Sequence, residues 1–162
     1  IIDDRERPTV IPAGEGLEPG HGDRHDFEIT VMPGEHPITR DLPPRWMHPA
    51  EQLTHGQHGP EDVVRSEAFT FLTYAWSKDT LAREPMDWVR RYGLGRVYVT
   101  MLGHAWVGEQ NPNLDAPGFR AMLARGAEWA ATGEVTQDPW PLGAQMAPAP
   151  GQTAAPALNP SP

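Results

Sequence analysis

Cysteine is absent from the 162 residues, which removes disulfides, thiolate zinc sites and a cysteine nucleophile together. Basic charge is scarce as well. Thirteen Lys and Arg stand against 22 Asp and Glu, giving a formal net charge of −9 with no run of five basic residues, so counterion-release binding to nucleic acid is not expected. No apolar run reaches the roughly 18 to 20 residues that span a bilayer, so the chain reads as soluble, without a membrane partner. The first residues, IIDDRERPTV, have neither an initiator Met nor a signal-peptide pattern and read as a start inside a longer sequence. A cytoplasmic location is preferred to export unless a targeting segment lies upstream.

What is abundant is chain-breaking. Nineteen prolines and sixteen glycines accompany an apolar share of only 38%, so much of the chain is expected to be loop or tail. Residues 1–24, with PAGEGLEPGHGDRH, read as a surface loop. The end, MAPAPGQTAAPALNPSP, reads as a disordered Ala/Pro-rich tail over 141–162, leaving one domain at 1–140.

Between these limits the periodicity is informative. HDFEITVM alternates Phe27, Ile29 and Val31 against polar neighbours and predicts a half-buried strand ending at Pro33-Gly34. EHPITRDLPPRWMHPAEQL has four prolines in nineteen residues, which forbids a long helix or a central strand and leaves at most a helical turn over 49–53. EAFTFLTYAW predicts a strand buried on both faces. PMDWVRRYGLGRVYVTMLG predicts a hairpin in which Gly93 and Gly95 supply positive φ, its second strand apolar on both faces and therefore central. DAPGFRAMLARGAEWAATG predicts a helix with Asp115 as N-cap, Pro117 in its first turn and Gly133 as terminator. Its apolar stripe is Phe119, Met122, Leu123, Gly126, Trp129 and Ala130, with Gly126 marking a close backbone approach. Four strands and one helix are thin cover for a sheet buried on both faces, so part of the cover is expected to lie outside this chain.

Seven histidines carry the chemical interest. His21 and His25 in HGDRH, and His55 and His58 in THGQHG, lack the context of a zinc motif and read as surface or loop-packing residues. His104 differs, because it follows a buried strand directly through Gly103. Ligands bind beyond strand ends in α/β sheets, and a histidine there can transfer protons near neutral pH, although ending the strand against a loop carbonyl is an equal alternative. His36, before Pro37, sits on a rigid loop as either site residue or local cap, the cap being preferred. His48 and Glu51 would share one side of a helical turn. Glu84 suits a sheet-edge carboxylate better than an acid/base. Trp46, Trp76, Trp88 and Trp106 offer faces to a sugar ring, while Trp129 reads as core.

The ordered set PAGEGLEPGHGDRHDFEITV, EHPITRDLPPRWMH, EPMDWVRRYGLGRVYVTMLGH and PGFRAMLARGAEWAATGEV resembles the ThuA-like (trehalose-utilisation) family from about Pro12 to Asp138. The resemblance implies a flavodoxin-like, class I glutamine amidotransferase-like three-layer α/β sandwich, incomplete at its N-terminus, in a chain corresponding to the C-terminal part of the domain. Such a piece is expected to be unstable or aggregation-prone alone. His36, His48 and His104 match recurring histidines of the family, and Glu51 the first acidic place of a DELY element that here reads EQLT. Arg83 stands where a histidine precedes Glu-Pro. The implied function is carbohydrate metabolism, on trehalose, a related disaccharide or a keto-sugar.

In this reading His104 is the general acid/base, His36 and His48 position polar groups and Glu51 is the partner carboxylate. Trp46, Glu84 and Trp106 line the substrate site, and no cofactor is called for. A non-catalytic sugar- or ligand-binding module with a decayed site is the alternative. A metal site of His36, His48, Glu51 and His104 is a third.

Overall fold

A computed structural model describes residues 1–12, 14–57 and 66–139. His58 and the tail over 141–162 lie outside the described residues. Among the described residues seven strands and two helices follow in chain order: β1 (Gly20–His21), β2 (His25–Val31), β3 (Arg45–Glu51), β4 (Thr54–His55), β5 (Phe69–Ser77), β6 (Ala82–Tyr92), β7 (Gly95–Thr100), α1 (Pro112–Asp115) and α2 (Pro117–Thr132). Five strands make one sheet in the order β3-β2-β5-β6-β7, and β1 and β4 form a separate two-stranded ribbon. Every pairing is antiparallel. The described residues are thus mixed α/β with an antiparallel sheet, and the parallel sheet of a flavodoxin-like sandwich is not formed within them. No helix among the described residues is long and apolar enough to cross a membrane.

Local chemistry explains most of these elements. β2 buries Phe27 and Ile29 at alternate positions, as its period requires. β5 lies in the sheet interior and buries Leu72 to Ala75 without a break. The β6–β7 hairpin turns through Gly93-Leu94, with Tyr92 opposite Gly95. Only Gly93 has positive φ, +56°, and Gly95 does not, so glycine is needed at the first central position alone, as in a type II′ turn.

Four expectations need correction. β7 is the edge of the described sheet rather than a central strand. Its two-sided apolar pattern has a different cause on each face. Tyr98 packs beneath α2, whereas Val99, opposite Trp88, lies on the face that also carries Phe71, where the side chains stay half-exposed. The segment 49–53 is not a helical turn, since β3 runs to Glu51 and carries a bulge. His25 pairs with Glu51 and Phe27 with His48, so Asp26 faces both Pro49 and Ala50. A bulge on an edge strand tolerates Pro49, and Ala50 takes φ +47° with its amide donating to Asp26 Oδ1. Residues 1–24 are more than loop, because Ile2 is buried and bridges Arg83 and Pro8. Asp115 ends α1 instead of capping α2. Ala116 is the N-cap, Pro117 opens the helix, and Asp115 pairs with Arg120.

The helix stripe follows 3-4-3 spacing through Phe119, Met122, Gly126 and Trp129, all buried, while Leu123 is exposed and Arg125 is buried in its place. Arg125 donates to the carbonyls of Pro37, Ile38, Arg40 and Gln137, clamping the HPIT turn onto α2. α2 sits so close to β7 that a Cβ on Gly126 would fall 2.3 Å from the Tyr98 ring. That ring is pinned, because Tyr98 Oη donates to Asp87 at 2.6 Å and Thr73 donates to the same buried carboxylate at 2.5 Å. Gly126→Ala is therefore expected to destabilise the fold by about 1–3 kcal/mol through overpacking. Denaturant unfolding of the variant against wild type measures this, and unchanged stability would contradict the contact.

Candidate functional site

The bulge in β3 builds the site. In a regular strand residues three apart face opposite sides of the sheet, but the extra residue returns Glu51 to the side that His48 occupies, and both are completely buried. His48 Nε2 lies 3.5 Å from Glu51 Oε2, its ring between Phe27 and Phe119. A carboxylate only accepts, so Nε2 carries a proton. Nδ1 is buried with no hydrogen-bond partner.

Glu51 is the hub. Its Oε2 accepts from Gly103 N at 2.8 Å, His104 N at 3.2 Å and Asn113 Nδ2 at 2.8 Å, and its Oε1 from Gln52 N at 3.0 Å. Burial pushes the carboxyl pKa up, but the bonds from His48, Asn113, Gly103 and Gln52 together outweigh it and hold the group below its ordinary value. Asn113 also donates to His104 O at 2.7 Å, so both backbone groups of His104 are fixed from within. Gly103 makes the turn possible with φ +99°, where a Cβ would also strike Phe119 at 2.8 Å.

The side chain so presented is exposed. His104 stacks on Trp106 with centroids 4.4 Å apart and planes 18° apart. The Arg24 guanidinium lies 4.1 Å from the same indole and donates to Ala50 O, Gln110 O and Glu109 Oε2. Asn111 completes the loop, accepting from Trp106 N and donating to Trp106 O.

His48, Glu51, His104 and Trp106 thus come together, and the other expected residues do not join them. His36 packs against Trp129 at 5.1 Å, its Nδ1 accepts from Ile38 N at 3.2 Å, and burial lowers its pKa. This is the local cap. Trp46 is 7% exposed within the core, which leaves no open ring face for a sugar. Glu84 is buried and accepts from Thr80 in the β5–β6 turn. Trp106 meets Arg24 and His104, so its geometry positions His104 rather than offering an open platform. The four-residue metal set is not assembled, since His36 stands apart, and no group of three or more metal-binding side chains occurs among the described residues.

Sequence reasoning missed Asn113, Arg24 and Asp87. Asn113 alone had a usable signal, the Asn-Pro-Asn that opens a short helix just after the strand end. Burial raises the Asp87 pKa against the hydrogen bonds of Thr73, Tyr98 and Thr100.

Fold and site together define an α/β domain in which a strand end presents an imidazole over a buried carboxylate. The ThuA (trehalose utilisation) family profile matches residues 12–130, and the chain belongs to that family. Among solved structures, a ThuA-like protein from Parabacteroides merdae ATCC 43184 is 33% identical with a TM-score of 0.67, over 80% of this chain and 49% of its own. The chain therefore spans about half the length of that relative. Comparison with curated proteins gave no match.

Because folding lowers the Glu51 pKa, its contribution to stability is complete above the ordinary value of about 4.5 and is lost as the pH falls through the depressed value. Glu51→Gln replaces one acceptor oxygen by a donor facing donors, and is expected to cost at least about 2 kcal/mol at neutral pH. Unfolding measured across pH should show the gap between wild type and variant shrinking in acid. A gap independent of pH would contradict a charged Glu51.

Proposed function

We propose that the chain is the C-terminal part of a ThuA-like domain acting on trehalose, a related disaccharide or a keto-sugar, with His104 as general acid/base. The carrying observation is the exposed His104 ring on a backbone held by Glu51 and Asn113, since proton transfer needs a reachable group in a fixed place. Glu51 acts as a positioning residue here. It is fully buried behind the amides of Gly103 and His104, so it supports His104 from behind instead of touching substrate. His48 backs Glu51 from the core, and Trp106 stacks on His104 within the loop.

In this reading the rest of the domain supplies the flavodoxin-like layer and lies along β7. Two features support that: β7 is an edge in the described sheet, and Val97, Trp88, Phe69 and Phe71 are only partly covered. A second reading, a sugar-binding module without turnover, is favoured by the complete burial of Glu51 behind protein donors, which keeps it from serving His104 as an acid/base partner.

His104→Ala in the complete protein is expected to lower sugar turnover by about 10² to 10⁴-fold while the fold survives, as the ring is on the surface. Turnover assays on trehalose and its keto-disaccharide, with calorimetry alongside, decide between the readings. Undiminished turnover removes His104 from the chemistry, and binding without any product favours the module.

A further inference from the structure

We propose that His21 is the second proton-transfer group of the His104 site, the two imidazoles forming an acid–base pair for enolisation of a keto-sugar. The proposal rests on the sugar-directed reading of His104. His21 belongs to a pair of histidines that by spacing alone looked like surface packing, and the fold carries it elsewhere. The β1–β4 ribbon continues the line of the β2–β3 pair past Glu51, with His25 opposite Glu51 and then His21 opposite Thr54. Glu51 also holds the His104 amide, so the strand that leads into the ribbon and the 103–111 loop meet at one residue. The His21 and His104 rings meet edge to face, with centroids 5.7 Å apart and planes at 71°.

The two rings are unlike in a way that suits a pair. His21 Nδ1 lies 3.2 Å from Gly22 O, and a carbonyl only accepts, so Nδ1 carries the proton and Nε2 keeps a lone pair. His104 is held by stacking on Trp106, which Arg24 braces, and neither of its ring nitrogens is hydrogen-bonded within the described residues. Both histidines are exposed. One ring is thus poised as an acceptor, and the other has both nitrogens open to a substrate.

The step balances without a redox partner. His21 Nε2 takes the proton from the carbon beside the ketone, the C–H electron pair becomes the C=C bond, and the carbonyl π pair takes the proton of His104. The product is an enediol, with His21 protonated and His104 neutral. Return of a proton to either carbon regenerates the ketone or gives its isomer.

The test uses the complete protein in D₂O with two probes, the keto-disaccharide made by oxidising one ring hydroxyl of trehalose, and fructose. Deuterium uptake beside the carbonyl is read by NMR and affinity by calorimetry. Wild type should exchange at least one probe. H21Q, which keeps a hydrogen-bonding amide but cannot carry a proton, should lower exchange about 10²-fold with affinity changed less than about threefold. H104Q should do the same, and the double variant should fall little below either single one, as groups acting as a unit do. Wild-type exchange in H21Q overturns the pair. So does binding without exchange in wild type, an outcome that leaves the sugar-binding reading standing, whereas no binding of either probe removes both. Independently of any sugar, ¹⁵N spectra should show His21 protonated at Nδ1, and protonation at Nε2 instead refutes the assignment.

Discussion

Oxygen Oε2 of Glu51 accepts from segments remote in sequence: the amides of Gly103 and His104 at the end of β7, and the side chain of Asn113 in α1. A carboxylate taken fully out of water costs several kcal/mol unless its lone pairs are matched, so the arrangement is narrow. Moving the strand end, the short helix or the β3 bulge would leave both a charge and its donors unmatched. These three elements are therefore one unit. Its rigidity is what gives an exposed histidine a defined position.

The same saturation decides what Glu51 can do. Four donors, the His48 ring among them, crowd Oε2, Oε1 takes the amide of Gln52, and the group is fully buried. The imidazole whose backbone it holds, that of His104, is the one exposed to solvent. The second buried carboxylate, Asp87, follows the same rule for packing, gathering Thr73 and Tyr98 so that the ring beneath Gly126 cannot move.

What the residues announce in advance is whatever rests on short-range chemistry. The β6–β7 turn, the termination of α2 at Gly133 with φ +88° and the tight seat of Gly126 all follow from a few neighbouring residues. Whether β7 is central or at an edge does not, because a two-faced apolar pattern reports burial and not which chain supplies the cover. The pairing of His48 with Glu51 was anticipated through a helical turn and arises from a bulge, since spacing of three is satisfied by either geometry. Contacts such as His21 with His104, 83 positions apart, have no local signature. They depend on a ribbon that pairs residues more than thirty positions apart.

The departures from the family pattern can be weighed against this scaffold. Gln52 stands where a second carboxylate is usual, yet what it gives the site is its main-chain amide, donated to Glu51 Oε1, which almost any residue would supply. Thr54 replaces a tyrosine, and it enters the β1–β4 ribbon through backbone pairing with His21. Arg83, in place of a histidine, is engaged with the main chain of Asp3 and with Tyr74, apart from the His104 loop. None of the three removes a group that orients His104. The costly buried partners, Glu51, His48 and Asn113, are present and mutually placed. Gln52 and Thr54 enter through main-chain groups and Arg83 lies elsewhere, so the buried contacts that hold the His104 backbone are intact.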